Sequence, residues 1–122
     1  MHSPEWITDL FIAIDKMDVE KFSSFLKQDA TFRFGNAAQV AGVNNIKTGL
    51  AQFYQSIKKL SHKLLDVWEV DNAVICRGDV TYTRFDDSTV TLPFVDIFKM
   101  DDDAIADYLI YIDLAPLFQP HV

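Results

Sequence analysis

The side chains best suited to chemistry are Arg77, Asp79 and Asp96, set into apolar, strand-like runs near the end of the chain. The runs are Ala73-Val-Ile-Cys-Arg-Gly-Asp-Val-Thr-Tyr-Thr-Arg84, Thr89-Val-Thr-Leu-Pro-Phe-Val-Asp-Ile-Phe98 and Ala104-Ile-Ala-Asp-Tyr-Leu-Ile-Tyr-Ile-Asp-Leu114. Burying an ionised group without a partner costs several kcal/mol, on the order of a small domain's whole stability. Each of these groups therefore faces water or marks a polar point in an apolar pocket. The second arrangement would be a binding or active site.

Asp96 has Phe94 and Phe98 two residues to either side, on its own strand face. A carboxyl among aromatic rings with no cation nearby is held neutral and can donate a hydrogen bond to a developing oxyanion. The competing reading is a structural carboxylate satisfied by Arg77, Arg84 or backbone amides. Arg77, Asp79 and Thr81 share one face, with Cys76, Val80 and Tyr82 on the other. Inside a pocket, the Arg77–Asp79 pair would polarise a substrate oxygen or position a water. Outside, it would be a solvated ion pair worth little. His62, at a strand start, is either a pocket base or an exposed residue. Trp68 and Tyr108, with Phe34 and Phe53, are expected to shape an apolar wall, although aromatics at these spacings also serve as plain core.

The elements that must position these groups are readable. Ser3-Pro4-Glu5 starts a helix, and Trp6, Ile7, Leu10, Phe11, Ile14 and Met17 give it one apolar face. Asp18 caps a second, short helix. Ala30–Phe34 alternates as a strand, with Phe32 and Phe34 on one side. After a brief strand over residues 39–41 and Gly42, a third helix is expected with Asn44 or Asn45 as cap and Ile46, Leu50, Phe53, Ile57 and Leu60 as its stripe. From Ser61 onward the pattern is strand, with acidic hairpin tips at Asp86-Asp87 and Asp101-Asp102-Asp103. The order helix, helix, strand, strand, helix, four strands is an α+β plan with a long antiparallel meander.

Composition narrows the function classes. The 122 residues form one domain, and 49% hydrophobic content with ten Phe fits a packed core. A net charge of −7 disfavours nucleic acid and anionic membranes as partners. No apolar run approaches the roughly 20 residues needed to span a bilayer, and the first residues lack the basic-then-apolar pattern of a signal peptide. The single cysteine, Cys76, excludes an internal disulfide, reads as a packed strand residue, and makes a reducing, cytoplasmic compartment the expectation. No metal cluster is expected from His2, His62 and His121, and no cofactor.

Asp29-Ala-Thr-Phe-Arg-Phe after two short helices, Gly42 before a third, the strand Leu92-Pro-Phe-Val-Asp-Ile-Phe and the tail Tyr111-Ile-Asp-Leu-Ala resemble the SnoaL-like branch of the nuclear transport factor 2-like superfamily. The resemblance implies a cone: a strongly curved, mainly antiparallel sheet and three helices around one pocket, often dimerised through the sheet. Its members include ketosteroid isomerase, limonene-epoxide hydrolase, polyketide cyclases and noncatalytic binders. By this resemblance the isomerase's base falls at Phe34, its Tyr at Phe11 and its acid at Asp96. The hydrolase's Arg-x-Asp pair is matched by Arg77-Gly78-Asp79, while its last-strand acid falls at Ile110. A small hydrophobic, oxygenated ligand is the expected partner. A homodimer is also expected, covering an outer sheet face assigned to Cys76, Val80 and Tyr82.

Overall fold

The chain begins with two helices that pack their apolar faces under a sheet. The computed structural model describes residues 4–119. Helix α1 (Glu5–Asp15) buries Ile7, Leu10, Phe11, Ala13 and Ile14. The expected cap at Ser3 lies outside the described residues. Met17, at φ +57°, ends the helix, and the Asp18 N–H reaches back to the Ala13 carbonyl at 2.9 Å. This Schellman-type turn stops the chain one residue after Asp15 and Lys16. The Asp18 side chain then caps α2 (Val19–Ser23), accepting from the Lys21 N–H at 3.0 Å.

Strand β1 (Leu26–Phe34) follows, then β2 (Val40–Ala41) and helix α3 (Val43–Tyr54). Gly42, at φ +91°, takes the N-cap position expected for Asn44 or Asn45, and the Asn45 amide instead donates to the Ala41 carbonyl. The helix also stops earlier than its apolar spacing suggests. Ser56 Oγ bonds the Phe53 carbonyl at 2.6 Å, and the Lys58 N–H already donates to Thr83 of the sheet. Ile57 and Leu60 are buried from a turn and a strand, so a helical spacing of apolar residues runs on past the helix.

Strands β3 (Lys59–Val70), β4 (Ala73–Thr83), β5 (Thr89–Asp101) and β6 (Ala104–Tyr111) form the meander, with a short closing helix α4 (Ala115–Phe118). Asp71, Asp87 and Asp102 supply the positive φ at its three tips, where a short polar side chain tolerates the left-handed region. The six strands run β2-β1-β6-β5-β4-β3 in one curved sheet with the helices against it. The β1–β6 pair is parallel and the remaining pairs are antiparallel. This is the α+β architecture the sequence pattern anticipates. Among the described residues no helix is long and apolar enough to cross a membrane.

Alternation assigns the two faces of the meander. Val74, Cys76, Gly78, Val80 and Tyr82 of β4 are buried against the helices, as are Leu92, Phe94, Asp96 and Phe98 of β5. Strand β3 breaks step once. Its pairing with β4 jumps from Leu64–Gly78 to Asp66–Arg77, leaving Leu65 as an extra residue. Before this bulge Leu60, His62 and Leu64 face the helices, and after it Val67 does. Gly78 sits beneath the bulge, where a Cβ would come within 2.0 Å of the Lys63 carbonyl oxygen. Only a glycine permits that approach.

Candidate active site

Between α1, α3 and the inner sheet face lies an apolar cavity of about 40 Å³. Asp96 lines it from the middle of β5, with Phe94 beside it and Tyr108 from β6. The Asp96 carboxyl is 2% exposed. Tyr108 donates its hydroxyl to Asp96 Oδ2 at 3.0 Å, while Oδ1 has no hydrogen-bond partner among the described residues. Burial pushes the carboxyl up from 3.8 to about 8, opposed only by the Tyr108 hydrogen bond. At neutral pH the group is therefore mostly protonated. With Oδ2 accepting from tyrosine, the proton belongs on Oδ1. The arrangement is a hydrogen-bond donor held in an apolar chamber.

His62 reaches the same cavity from β3. Its Nδ1 lies 2.6 Å from Asp15 Oδ1, and its backbone N–H donates to Asp15 Oδ2 at 3.0 Å. The carboxylate thus grips both ring and backbone and fixes Nδ1 as the protonated nitrogen. Nε2 is left with no protein partner among the described residues. Phe11 and Phe94 flank the imidazole, at 4.9 and 5.2 Å between ring centres, and its side chain is 10% exposed. His62 stands opposite Val80 and Leu92 in register, four residues along β5 from Asp96. Asp96 and His62 therefore mark different points of one chamber.

Of the aromatic residues expected to form the wall, Phe34, Phe53 and Tyr108 line the cavity. Phe34 meets Phe53 edge-to-face at 4.8 Å. Trp68 does not reach the chamber. The Leu64–Asp66 bulge inverts the alternation, so Trp68 pairs with Ile75 on the outer face.

Arg77 and Asp79 also lie on that outer face. Arg77 Nε bonds Asp66 Oδ2 at 2.7 Å, with both side chains about half exposed. Inward placement belongs to Cys76, Gly78, Val80 and Tyr82, because the more apolar of the two alternating sets goes to the core. This reverses the expected assignment of both faces and removes Cys76, Val80 and Tyr82 as a reason for dimerisation. Neither Arg77 nor Arg84 satisfies Asp96. Arg84 anchors the Leu117 and Pro116 carbonyls. Asp113 accepts from the Ala115 N–H at the start of α4.

Asp15 is the site residue that sequence reasoning missed. It ends α1, where a carboxylate meets the negative pole of the helix and is locally unfavourable. That mismatch was a legible hint, but His62, its partner, lies 47 positions further along. Burial raises the Cys76 thiol well above its ordinary range, so it is a packed residue and not a nucleophile. Among the described residues no group of three His, Cys, Asp or Glu side chains is placed to hold a metal.

Helices packed against a six-stranded curved sheet are the fold of the nuclear transport factor 2-like proteins. Residues 7–108 match the model of the SnoaL-like domain, and the chain belongs to that family. A hypothetical protein with a ketosteroid isomerase-like fold from Catenulispora acidiphila DSM 44928, solved with trimethylamine, superposes with a TM-score of 0.85 at 14% identity, covering 93% of this chain and 89% of its own. TerC co-crystallised with polyporic acid gives 0.81 at 20% identity over 93% and 92%. An NTF2-like protein of unknown function from Burkholderia pseudomallei K96243 gives 0.83 at 13% over 91% and 90%. At these identities the likeness is one of fold. No curated protein matches the chain.

Proposed function

We propose that the chamber binds an apolar, oxygenated small molecule and carries out acid–base chemistry on it. One observation carries this reading: a buried carboxyl with one oxygen unpaired in an apolar cavity. An orphaned buried polar atom is costly and needs a reason. A ligand oxygen accepting from Asp96 Oδ1–H supplies one.

The reaction class follows from the pairing with His62. Asp96 holds a carbonyl oxygen, and His62 Nε2 takes a proton from a carbon acidified by that carbonyl. The C–H electron pair becomes a carbon–carbon double bond, and the carbonyl π pair moves onto the oxygen held by Asp96. Where a carbon–carbon double bond adjoins that carbon, returning the proton at the far end of the dienolate completes an isomerisation. Where a second carbonyl lies in reach, the enolate carbon attacks it, its π pair moves onto its oxygen, and that oxygen takes the proton back from His62 to close a ring. Hydrolysis is the weaker reading, because Arg77 and Asp79, the pair it relied on, stand on the other face. No organic cofactor enters this scheme.

The test is a thermal-shift panel of small apolar ketones, lactones and aromatic polyketide fragments, followed by deuterium exchange into the hits. A ligand at a hundred times its Kd adds about 2.7 kcal/mol, which moves Tm by several degrees. Asp96→Ala should abolish the shift. His62→Gln should keep binding and slow exchange by about a hundredfold or more. A flat panel overturns the proposal and leaves a noncatalytic association module. Binding without exchange leaves a ligand carrier.

The proposal also places a second copy of the chain on the outer sheet face. There Trp68, Ile75, Ile97 and Leu109 form one apolar row across four strands. A monomer in light scattering at micromolar concentration overturns that part.

A further inference from the structure

Resting on the reading above, we infer that the ligand site has a second compartment, a groove beneath α3, and that Phe34 is the partition setting ligand length. The chamber around Asp96 has about 40 Å³, room for about three water-sized spheres. That suffices for a compact oxygenated head and for little more. Next to it, between α3 and β1–β2, an apolar groove of about 170 Å³ is lined by Ala37, Val40 and Gly49 among others.

The two spaces share three walls: Phe32, Phe34 and Leu50. Phe32 and Leu50 are core residues, 6% and 8% exposed. Phe34 is only half-buried and is the last residue of β1, just before the turn at Gly35, whose φ is +61°. It is therefore the least buried of the shared walls, held by ring contacts with Phe53 and Phe32 that a ligand tail would have to displace. The ligand class is a molecule with a carbonyl head and an unbranched or flat apolar tail. The head sits on Asp96 and the tail passes Phe34 into the groove.

Gly49 makes the groove testable without touching the chamber. It lies inside α3, and a Cβ there meets no atom within 4 Å. Gly49→Leu fills the groove with a residue the helix favours. The probes are 2-alkanones from four to eleven carbons, with Kd read by thermal shift.

In the unmodified protein, affinity should rise tenfold or more once the chain outgrows the chamber. Gly49→Leu should remove that gain while leaving the shortest ketones bound as before. Phe34→Ala, or Phe34→Leu should the alanine variant fail to fold, should strengthen binding of the long members. Short ketones bound through Asp96, with the same length profile in all variants, would overturn the second compartment and spare the head site. Binding of no member, or binding indifferent to Asp96→Ala, would overturn both.

Discussion

The inner and outer faces of β3, β4 and β5 carry charged residues at neighbouring register positions, Arg77 following directly on Cys76, which pairs with Asp96, yet they treat them oppositely. On the outer face Arg77 and Asp66 meet each other and water, and both remain half exposed. On the inner face Asp96 meets a tyrosine hydroxyl, a thiol-bearing strand and aromatic rings, with no cation among the described residues. The outer pair is solvated and contributes little to stability. The inner acid gives up its charge at neutral pH and becomes a donor. A strand's period of two is enough to turn one residue type into two chemical species.

The largest expected effect lies on the inner face and depends on pH. Asp96 ionises at 3.8 in the unfolded chain and at about 8 in the folded one. Between those values the folded chain holds a proton that the unfolded chain has lost. Stability should therefore fall as pH rises from about 4 to about 8, by on the order of 5 kcal/mol, and level off above. Denaturant titrations at pH 5 and pH 9 measure the fall, and Asp96→Asn should flatten it. Ligand binding should fade over the same upper limb, since the donor proton leaves near pH 8.

Next comes the boundary between the faces. Gly78→Ala drives a methyl group into the Lys63 carbonyl, and the bulge that turns Trp68 outward must shift. A loss of roughly 3 kcal/mol is expected, read as a lowered Tm. If Gly78→Ala proved neutral, the step that sorts β3 would not rest on this contact.

Tyr108→Phe sharpens the inner side more gently. It leaves Asp96 with both oxygens unpaired, at a cost of about 1–2 kcal/mol at pH 6. Because the tyrosine hydrogen bond holds the carboxyl down, its removal should move the pH-dependent fall upward. The smallest effect belongs outside. Arg77→Ala should change stability by about 0.5 kcal/mol or less and leave ligand binding intact. A large loss of binding there would return Arg77 to the site.

Much of this was legible in the sequence, and the failures have physical causes. The helix over 5–15 and the presence, though not the end, of the helix over 43–54 follow from apolar stripes, and the burial of Asp96 follows from its phenylalanine neighbours. The facing of β4 was readable in principle, because the set Val74, Cys76, Val80, Tyr82 is more apolar than Ile75, Arg77, Asp79, Thr81. The charged set drew the assignment the wrong way, since charges that would do chemistry are equally charges that prefer water. Trp68 was lost for another reason. One extra residue at Leu65 reverses every side chain after it, and its only mark in the sequence is the paired Leu64-Leu65 opposite Gly78. The Asp15–His62 contact is long-range; its one local mark, an acid at the end of α1, does not point to its partner.

The strand order also has a consequence in time. Thr31 and Phe32 of β1 pair with Asp107 and Tyr108 of β6, the last strand of the sheet to be made. The β3–β4–β5 meander forms from neighbouring segments, so it has its partners early. The first strand has none until nearly the whole chain is present, and that closure carries the entropy of the largest loop in the molecule. Refolding should accordingly show early meander protection and late protection of β1 in pulsed hydrogen exchange. The Asp96–Tyr108 contact lies within the β5–β6 hairpin, only 12 residues apart, and should form with the meander, whereas Phe32 and Phe34 of β1 wall the chamber only with that last step.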